Sequence, residues 1–238
     1  MSVKELISRS VQGKTSPWLA RLDDDKLYYI KGKEALYRGL VIEYICAELG
    51  RLLGLPVPPS KIAYLDRSLL QYNDEAIDNF GREDCDVFAS EKVADVVDIK
   101  FSDLEHVTTH EAQLIFFFDY LIANEDRTLG ENGGNPNLCI NPITKKITVI
   151  DHNLGFDPCF DFQKNKEHHI FHAIWYCPQR DLHLIQELKA KLPDAINKLY
   201  DYVADIPEEW LENKPNLIAE IFHRLELYKE DHFWEALQ

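Results

Sequence analysis

Three polar residues near the middle of the chain have the types and the order needed for chemistry on a phosphate group. Asp126 follows a nearly unbroken apolar segment, Asn137 comes just before a short strand pattern, and Asp151 follows the next strand pattern. An aspartate can accept the proton of an attacking hydroxyl, while an asparagine and a second aspartate can hold Mg²⁺ against nucleotide phosphates. The set therefore indicates phosphoryl transfer, with Asp126 as the base and Asn137 and Asp151 on the metal.

The elements around these residues must place two acidic loops side by side. Leu114 to Ile122 is apolar nearly all round, as in a buried helix, and Thr108 with Glu111 makes a capping box before it. Leu138–Ile140 and Ile147–Ile150 have strand composition and are separated by an Asn-Pro turn, which predicts a β-hairpin. We therefore expect a helix, an acid, a hairpin and a second acid, in that order.

Lys31 is the candidate phosphate ligand in the first part of the chain. Leu19–Leu22 and Leu27–Ile30 are predicted strands on either side of an Asp-rich turn, and they place Lys31 at a strand end. The polar segment before them contains Gly13, which we expect to lie over the nucleotide phosphates. Alone, Lys31 would be a solvated strand end; the acids downstream favour the functional interpretation.

A helix that carries a glutamate follows Lys31. Apolar residues recur with helical spacing from Tyr37 to Leu53, and Gly54 and Pro56 end the pattern. Kinases pair the strand lysine with a glutamate from such a helix, and Glu43 is the candidate for this role. A solvated surface acid is the alternative interpretation of Glu43.

The rest of the first part predicts further strands and a hinge. Val57–Leu65 and Ser68–Tyr72 have strand composition, and the acid-rich Asn73–Asp86 is predicted to be an exposed excursion. Val87–Ala89 is the last predicted strand, and it leads into a hinge at Ser90 to Lys92. We expect Ser90 to contact the nucleotide at this hinge.

The hinge divides the chain into two predicted lobes. Residues 1–92 form an N-terminal lobe of one sheet and one helix, and residues 93–238 form a mostly helical C-terminal lobe. Helical spacing recurs in the C-terminal lobe at Glu167–Tyr176, Asp181–Lys191, Ala195–Val203, Glu208–Leu211 and Leu217–Tyr228. The predicted fold is therefore α+β, with the nucleotide bound between the lobes.

The composition narrows the class of protein. The 238 residues are 45% hydrophobic, and 26 basic against 41 acidic residues give a formal charge of -15. This balance opposes a broad nucleic-acid or membrane surface, since phosphate contacts require clustered Lys and Arg. Five scattered cysteines suit a reducing compartment, and we find neither a secretory signal nor the ~20 apolar residues of a membrane span. We expect a cytoplasmic protein without a direct nucleic-acid partner; its oligomeric state stays open.

The motifs resemble those of the HipA-like kinases, in the compact form without an extra N-terminal subdomain. The matching segments are YYIK at 28–31, LGLPVP at 53–58, FAS at 88–90, NEDR at 124–127, NPNL at 135–138 and IDH at 150–152. They keep the family's order over roughly residues 10–155. Phosphatidylinositol kinases share a related Asp-Arg loop and are similar at a greater distance.

The resemblance implies a two-lobed protein-kinase-like fold and phosphoryl transfer that depends on ATP and Mg²⁺. It implies that Lys31 contacts the phosphates, that Asp126 is the base, and that Asn137 and Asp151 bind the metal. The acceptor it implies is a hydroxyl group of a protein, with a small molecule or a lipid head group as the alternative.

Two features depart from the family pattern. The inserted segment Leu129–Gly134 moves Asn137 farther from Asp126 than in relatives, so that Asn135 or Asn132 is an alternative metal ligand. Bulky Tyr29 stands where protein kinases have a small residue, and it would crowd the adenine.

Two other functions stay open on the sequence. A nucleotide-binding pseudokinase could keep the fold and serve as an interaction module without catalysis. A metal hydrolase would use His168 and His172, spaced for one helix face, with Asp151, His152 or Asp157 completing the ligands.

Overall fold

The computed structural model describes residues 1–10, 17–130, 133–178 and 181–238. The strands in these ranges are β1 (Val3–Arg9), β2 (Trp18–Leu22), β3 (Leu27–Lys31), β4 (Ser60–Leu65), β5 (Cys85–Glu91), β6 (Val97–Asp98), β7 (Thr128–Gly130), β8 (Gly133–Asn135), β9 (Leu138–Ile140) and β10 (Ile147–Val149). The α-helices are α1 (Tyr37–Leu53), α2 (Asp74–Phe80), α3 (Thr109–Leu121), α4 (Phe162–Asn165), α5 (His172–Trp175), α6 (Leu182–Val203), α7 (Glu208–Leu211), α8 (Leu217–Leu225) and α9 (Asp231–Glu235). Helices dominate the chain after β10, which confirms the predicted mixture of a sheet-rich first part and a helical second part.

Five antiparallel strands form the sheet of the first part, in the order β1-β2-β3-β5-β4. Side chains alternate across β3, so Tyr28 and Ile30 are buried in a small core with Trp18 and Phe80. The same alternation places Lys31, the last residue of β3, on the opposite face of the sheet. The sheet thereby fixes the backbone from which the Lys31 side chain extends.

Helix α1 packs against both the sheet and the helices of the second part. It contacts β4 and β5 on the sheet side and α6 and α7 on the other side. The Tyr44 hydroxyl donates to Asp205 at 3.1 Å, and the Tyr37 hydroxyl donates to Glu209. Gly54 ends the helix with a left-handed φ of 95°. The predicted bounds of α1 are confirmed, and its burial follows from having protein on two sides.

Helix α3 is the central element of the second part. Thr108 and Glu111 form the predicted capping box, with the Glu111 N–H donating to the Thr108 hydroxyl at 3.2 Å. Every residue from Ala112 to Leu121 is buried, and the Phe117 ring stacks on Trp234 at 5.7 Å. The prediction of a buried helix is confirmed, and this helix leads directly into the Asp126 loop.

Two hairpins follow α3. The predicted hairpin is present as β9 and β10, which pair antiparallel, and β6 adds a third strand beside β9. The described residues on either side of 131–132 form a second hairpin, in which β7 pairs with β8. In sequence, the two hairpins lie between Asp126 and Asp151. They therefore determine where the two acidic loops lie relative to each other.

The predicted strand Ser68–Tyr72 is wrong. Arg67–Leu69 is a single 3-10 turn, which Asp66 caps by accepting the Ser68 N–H at 2.8 Å. The local hydrogen bond of the aspartate favours a turn over an extended strand.

The predicted excursion Asn73–Asp86 is also wrong in part, since it contains α2. Asn73 caps this helix by accepting the Ala76 N–H at 3.1 Å, and α2 buries Ala76 and Phe80 against the sheet. The acidic exposed face of this short helix outweighed its few buried positions in the sequence pattern.

Gly32, directly after Lys31, touches Phe80 of α2. A methyl group at Gly32 would stand 2.3 Å from Cδ1 of the Phe80 ring. We predict that Gly32→Ala lowers the free energy of unfolding by about 1–3 kcal/mol, the usual cost of overpacking. Urea unfolding measures this change.

Gly130→Ala is the matched control, because the nearest atom to its added methyl group is 4.0 Å away. Its free energy of unfolding should stay within about 0.5 kcal/mol of the original chain. Equal stability of the two variants would contradict the close packing of Gly32 and Phe80.

Candidate active site

A cavity of about 1710 Å³ lies between the sheet and the helical part. The predicted site residues that line it are Lys31, Glu43, Ser90, Asp126, Asn135, Asn137 and Asp151. The predicted Gly13 and Asn132 lie outside the described residues. The structure thus brings residues from β3, α1, β5 and both acidic loops to one cavity.

The Lys31 ammonium lies between two carboxylates. Its Nζ is 2.9 Å from Oε2 of Glu43 and 2.6 Å from Oδ1 of Asp151, and its side chain is 11% exposed. Burial alone would lower the pKa of Lys31, but the two carboxylates outweigh burial and raise the pKa above its ordinary value. Lys31 is therefore charged, and it joins the sheet to the helical part.

Glu43 lies on α1, is buried and lines the cavity, so it is not a solvated surface acid. Its Oε2 accepts from Lys31, and its Oε1 accepts the backbone N–H of His152 at 3.1 Å. Burial would raise the pKa of Glu43, but Lys31 and His152 outweigh burial and lower it below its ordinary value. Glu43 is thus an anion that holds the Lys31 ammonium and the residue after Asp151 at the same time.

Asp151 follows β10 with a left-handed φ of 57°. Burial raises the pKa of its carboxyl, Lys31 opposes this shift, and Glu43 adds to it. One ammonium therefore faces two carboxylates, and Asp151 is the one whose charge is less fully compensated. A divalent cation beside Asp151 would supply the missing positive charge.

Two asparagines meet on one oxygen of Asp126. The Nδ2 groups of Asn135 and Asn137 lie 2.6 and 3.1 Å from Oδ2 of Asp126. Asn137 also donates to the backbone carbonyl of Asp151 at 3.4 Å, so it stands between the two acidic loops. Both asparagines use Nδ2 in these contacts, but only Asn137 also lies against Asp151, which makes Asn137 the better placed of the two as a cation ligand.

Arg127 fixes the loop that carries Asp126. The guanidinium is fully buried; its Nε lies 2.5 Å from Oδ2 of Asp119, and its Nη1 donates to the carbonyls of Pro136 and Asn137 at 3.0 and 2.7 Å. Burial would raise the pKa of Asp119, but Arg127 and His169 outweigh burial and hold it below its ordinary value. Arg127 therefore joins α3 to the segment that carries both asparagines.

His169 completes this buried group, and sequence reasoning missed it. The Phe171 N–H donates to Nδ1 of His169 at 3.0 Å, so Nε2 carries the proton and donates to Oδ2 of Asp119 at 3.0 Å. Burial lowers the pKa of His169, which keeps the ring neutral. The signal that could have revealed the group is Asp119 itself, because an acid in an otherwise apolar helix requires a partner.

Ser90 and Tyr29 lie opposite each other in the sheet. Ser90 of β5 pairs with Tyr29 of β3 on one side and with Ser60 of β4 on the other. Tyr29 is 37% exposed and lines the cavity on the same face of β3 as Lys31.

The metal-hydrolase interpretation receives no support from the described residues. His168 ends a 3-10 turn and His172 begins α5, so the two rings do not share one helix face. No group of three His, Cys, Asp or Glu side chains in the described ranges is arranged to hold a metal ion.

Comparison with known families identifies the kind of protein. A family model for HipA-like kinases matches residues 3–237. The chain belongs to the HipA-like kinase family. The match reaches well beyond residues 10–155, where the motifs lie, and it includes the helical second part.

A solved structure supports the fold of this HipA-like kinase. The crystal structure of a Helicobacter pylori proinflammatory kinase, CtkA, aligns with a TM-score of 0.53 over 92% of this chain and 91% of that chain, at 13% sequence identity. At this identity the likeness concerns the fold, and it confirms the predicted fold class. No curated protein matches the chain. The lobe boundary near residue 92 stays a prediction.

None of the helices in the described part of the chain has the length and apolar composition to cross a bilayer.

Lys31→Met removes the cation that Glu43 and Asp151 share. We predict that it lowers the free energy of unfolding by about 3–5 kcal/mol, because it leaves a buried carboxylate without its partner. Chemical unfolding of the protein without nucleotide measures this loss. The double variant Lys31→Met with Glu43→Gln should regain part of the loss, since the unpaired charge is gone.

Lys92→Met is the matched control, since Lys92 lines the same cavity but is exposed. Its effect should stay within about 0.5 kcal/mol. If Lys31→Met and Lys92→Met unfolded at the same denaturant concentration, the Lys31 ion pairs would contribute nothing to stability.

Proposed function

We propose that this HipA-like kinase transfers the γ-phosphoryl group of ATP, with Mg²⁺, to a hydroxyl group of a protein. The observation that carries the proposal is the convergence of a charged lysine and two acidic loops on one cavity. Lys31, Asp126 and Asp151 come from segments far apart in sequence, and each has its side chain in the cavity. Phosphoryl transfer requires a phosphate clamp, a metal ligand and a base at one place.

Lys31 is the proposed ligand of the α- and β-phosphates. Its ammonium is charged and is held from one side by the buried Glu43. Its second contact, Asp151, is half-buried and has the less favourable charge environment. Phosphate oxygens can therefore take the place of Asp151 on the ammonium, while Glu43 keeps the lysine oriented.

Asp151 and Asn137 are the proposed protein ligands of Mg²⁺. Carboxylate and amide oxygens are the donors that Mg²⁺ prefers, and the ion often takes only one or two protein ligands beside phosphates and waters. The shared ammonium leaves negative charge uncompensated at this point, which fits a divalent cation. Bound Mg²⁺ would neutralise the phosphate oxygens during transfer. Asn135 remains the alternative to Asn137.

Asp126 is the proposed base. Its carboxylate is partly exposed and lines the cavity, so an acceptor hydroxyl can reach it from outside. The exposed Leu36 and Leu154 line the same cavity and offer apolar contact to a polypeptide. These side chains favour a protein acceptor over a lipid head group, together with the acidic charge of the chain.

The nucleotide base is proposed to lie toward the sheet. Ser90 lines the cavity near the end of β5; the hinge predicted at Ser90 to Lys92 can begin only after Glu91, because Ser90 and Glu91 are still paired in the sheet. Tyr29 narrows this side and would contact the base. The role of Gly13 over the phosphates remains part of the same proposal.

Asp126→Asn should separate nucleotide binding from chemistry. We predict unchanged affinity for Mg·ATP by calorimetry and a fall of about 10²–10⁴-fold in phosphoryl transfer, because a base acts in the transition state. Incubation with labelled ATP, with and without cell extract, followed by mass spectrometry of phosphorylated products, measures the transfer.

Asp95→Asn is the matched control, an exposed aspartate that lines the same cavity. It should keep both binding and transfer, whereas Asp151→Asn should lose Mg²⁺-dependent nucleotide affinity. Equal transfer by the original chain and Asp126→Asn would exclude Asp126 as the base. Tight Mg·ATP binding without any transfer by the original chain would identify a pseudokinase.

A further inference from the structure

The paired strands β7 and β8 lie beside the proposed base. Gly134 passes so close to β7 that an added methyl group would stand 2.4 Å from the Thr128 carbonyl oxygen. Thr128 also forms a bridge to His169, and the Ile170 N–H donates to the Arg127 carbonyl at 3.2 Å. Strand β7 is therefore attached to the buried group around Asp119, and β8, which ends at Asn135, pairs with it.

The side-chain amide of Asn135, the last residue of β8, donates to the carboxylate of Asp126. Its Nδ2 lies 2.6 Å from Oδ2 of Asp126, the same oxygen that Asn137 contacts at 3.1 Å. Within the described part of the chain, no donor contacts Oδ1 of Asp126. Two amides thus occupy one carboxylate oxygen and leave the other one for a ligand.

We propose that Asn135 is a positioning residue that aims Oδ1 of Asp126 at the acceptor hydroxyl. The proposal rests on the function proposed above and refines it. A carboxylate can rotate about its Cβ–Cγ bond, and two donors on one oxygen restrict that rotation. Asn135 therefore acts through Asp126, and Asn137 remains the metal ligand.

The proposed step moves the γ-phosphoryl group from ATP to the acceptor hydroxyl. The acceptor oxygen forms a bond to the γ-phosphorus of ATP, and its proton passes to Oδ1 of Asp126. The bond from the γ-phosphorus to the bridging oxygen breaks, and ADP leaves with the electron pair. Asn135 takes no part in the bond changes; it keeps Oδ2 occupied while Oδ1 receives the proton.

Asn135→Ala tests the positioning role with a variant that should fold. Asn135 is exposed, so its removal leaves no buried gap. We expect the kcat of transfer to fall about 10- to 100-fold, the effect of a misplaced catalytic group. The KM for ATP and the Mg²⁺ concentration for half-maximal activity should stay the same. A fall in Mg²⁺ affinity with unchanged kcat at saturating Mg²⁺ would overturn the proposal and make Asn135 a metal ligand.

Asn135→Asp separates the two roles further. A carboxylate at this position cannot donate to Asp126 and repels it, so transfer should fall at least as far as in Asn135→Ala. If Asn135 were a metal ligand, the carboxylate would retain Mg²⁺ binding and activity. Asn213→Ala is the control, an exposed asparagine in the loop after α7, and it should keep full activity. Normal transfer by Asn135→Asp would contradict the proposal.

A measurement without turnover distinguishes failure of this proposal from failure of the proposed function. The side-chain amide signals of Asn135, assigned in the NMR spectrum by their loss in Asn135→Ala, should shift in Asp126→Ala and stay unchanged in Asp95→Asn. Unchanged signals in Asp126→Ala would remove the contact and the inference with it. If the signals shift but the original chain transfers no phosphoryl group, the contact between Asn135 and Asp126 exists. The positioning role and the proposed function are then both rejected.

Discussion

A buried guanidinium holds the candidate active site in shape. Arg127 has no exposed surface, and its donors reach Asp119 on α3 and the carbonyls of Pro136 and Asn137. Removing either charge of such a pair leaves the other buried without compensation, at a cost of several kcal/mol. Asp126 precedes Arg127 directly, so the contact also fixes the proposed base. Because the carbonyls of Pro136 and Asn137 accept from the same side chain, the Asp126 loop and the segment that carries Asn137 cannot separate without breaking these hydrogen bonds.

Much of the fold could be predicted because its main elements carry their pattern within one segment. Helices α1 and α3 have helical spacing and clear ends, and the β9–β10 hairpin has short strands around an Asn-Pro turn. Strand β1 could not be predicted, since most of its residues are exposed and show no alternation. The separate helical segments predicted at Asp181–Lys191 and Ala195–Val203 are one helix, α6, which continues through Pro193 because packing on α1 outweighs one lost hydrogen bond.

The site could be predicted only where a residue stands at the end of an element or on a patterned helix. Lys31 ends β3, Glu43 lies on α1, and Asp151 follows β10, so each could be located from its own segment. The partner of Asn135 could not be predicted from its own segment. Asn135 reaches Asp126 because β8 pairs with β7, the strand that follows Asp126. The contact of His169 with Asp119 spans 50 residues, so neither segment alone could reveal it.

The most direct test of this account is a crystal structure of the chain with Mg²⁺ and a non-hydrolysable ATP analogue. We expect the Lys31 ammonium to keep Glu43 and to exchange Asp151 for phosphate oxygens, with Asp151 and Asn137 on the metal. Asp126 should lie near the γ-phosphate with Asn135 still on its Oδ2. A nucleotide bound elsewhere, or bound in this cavity with Lys31 still paired to Asp151 and no metal at Asp151, would contradict the account.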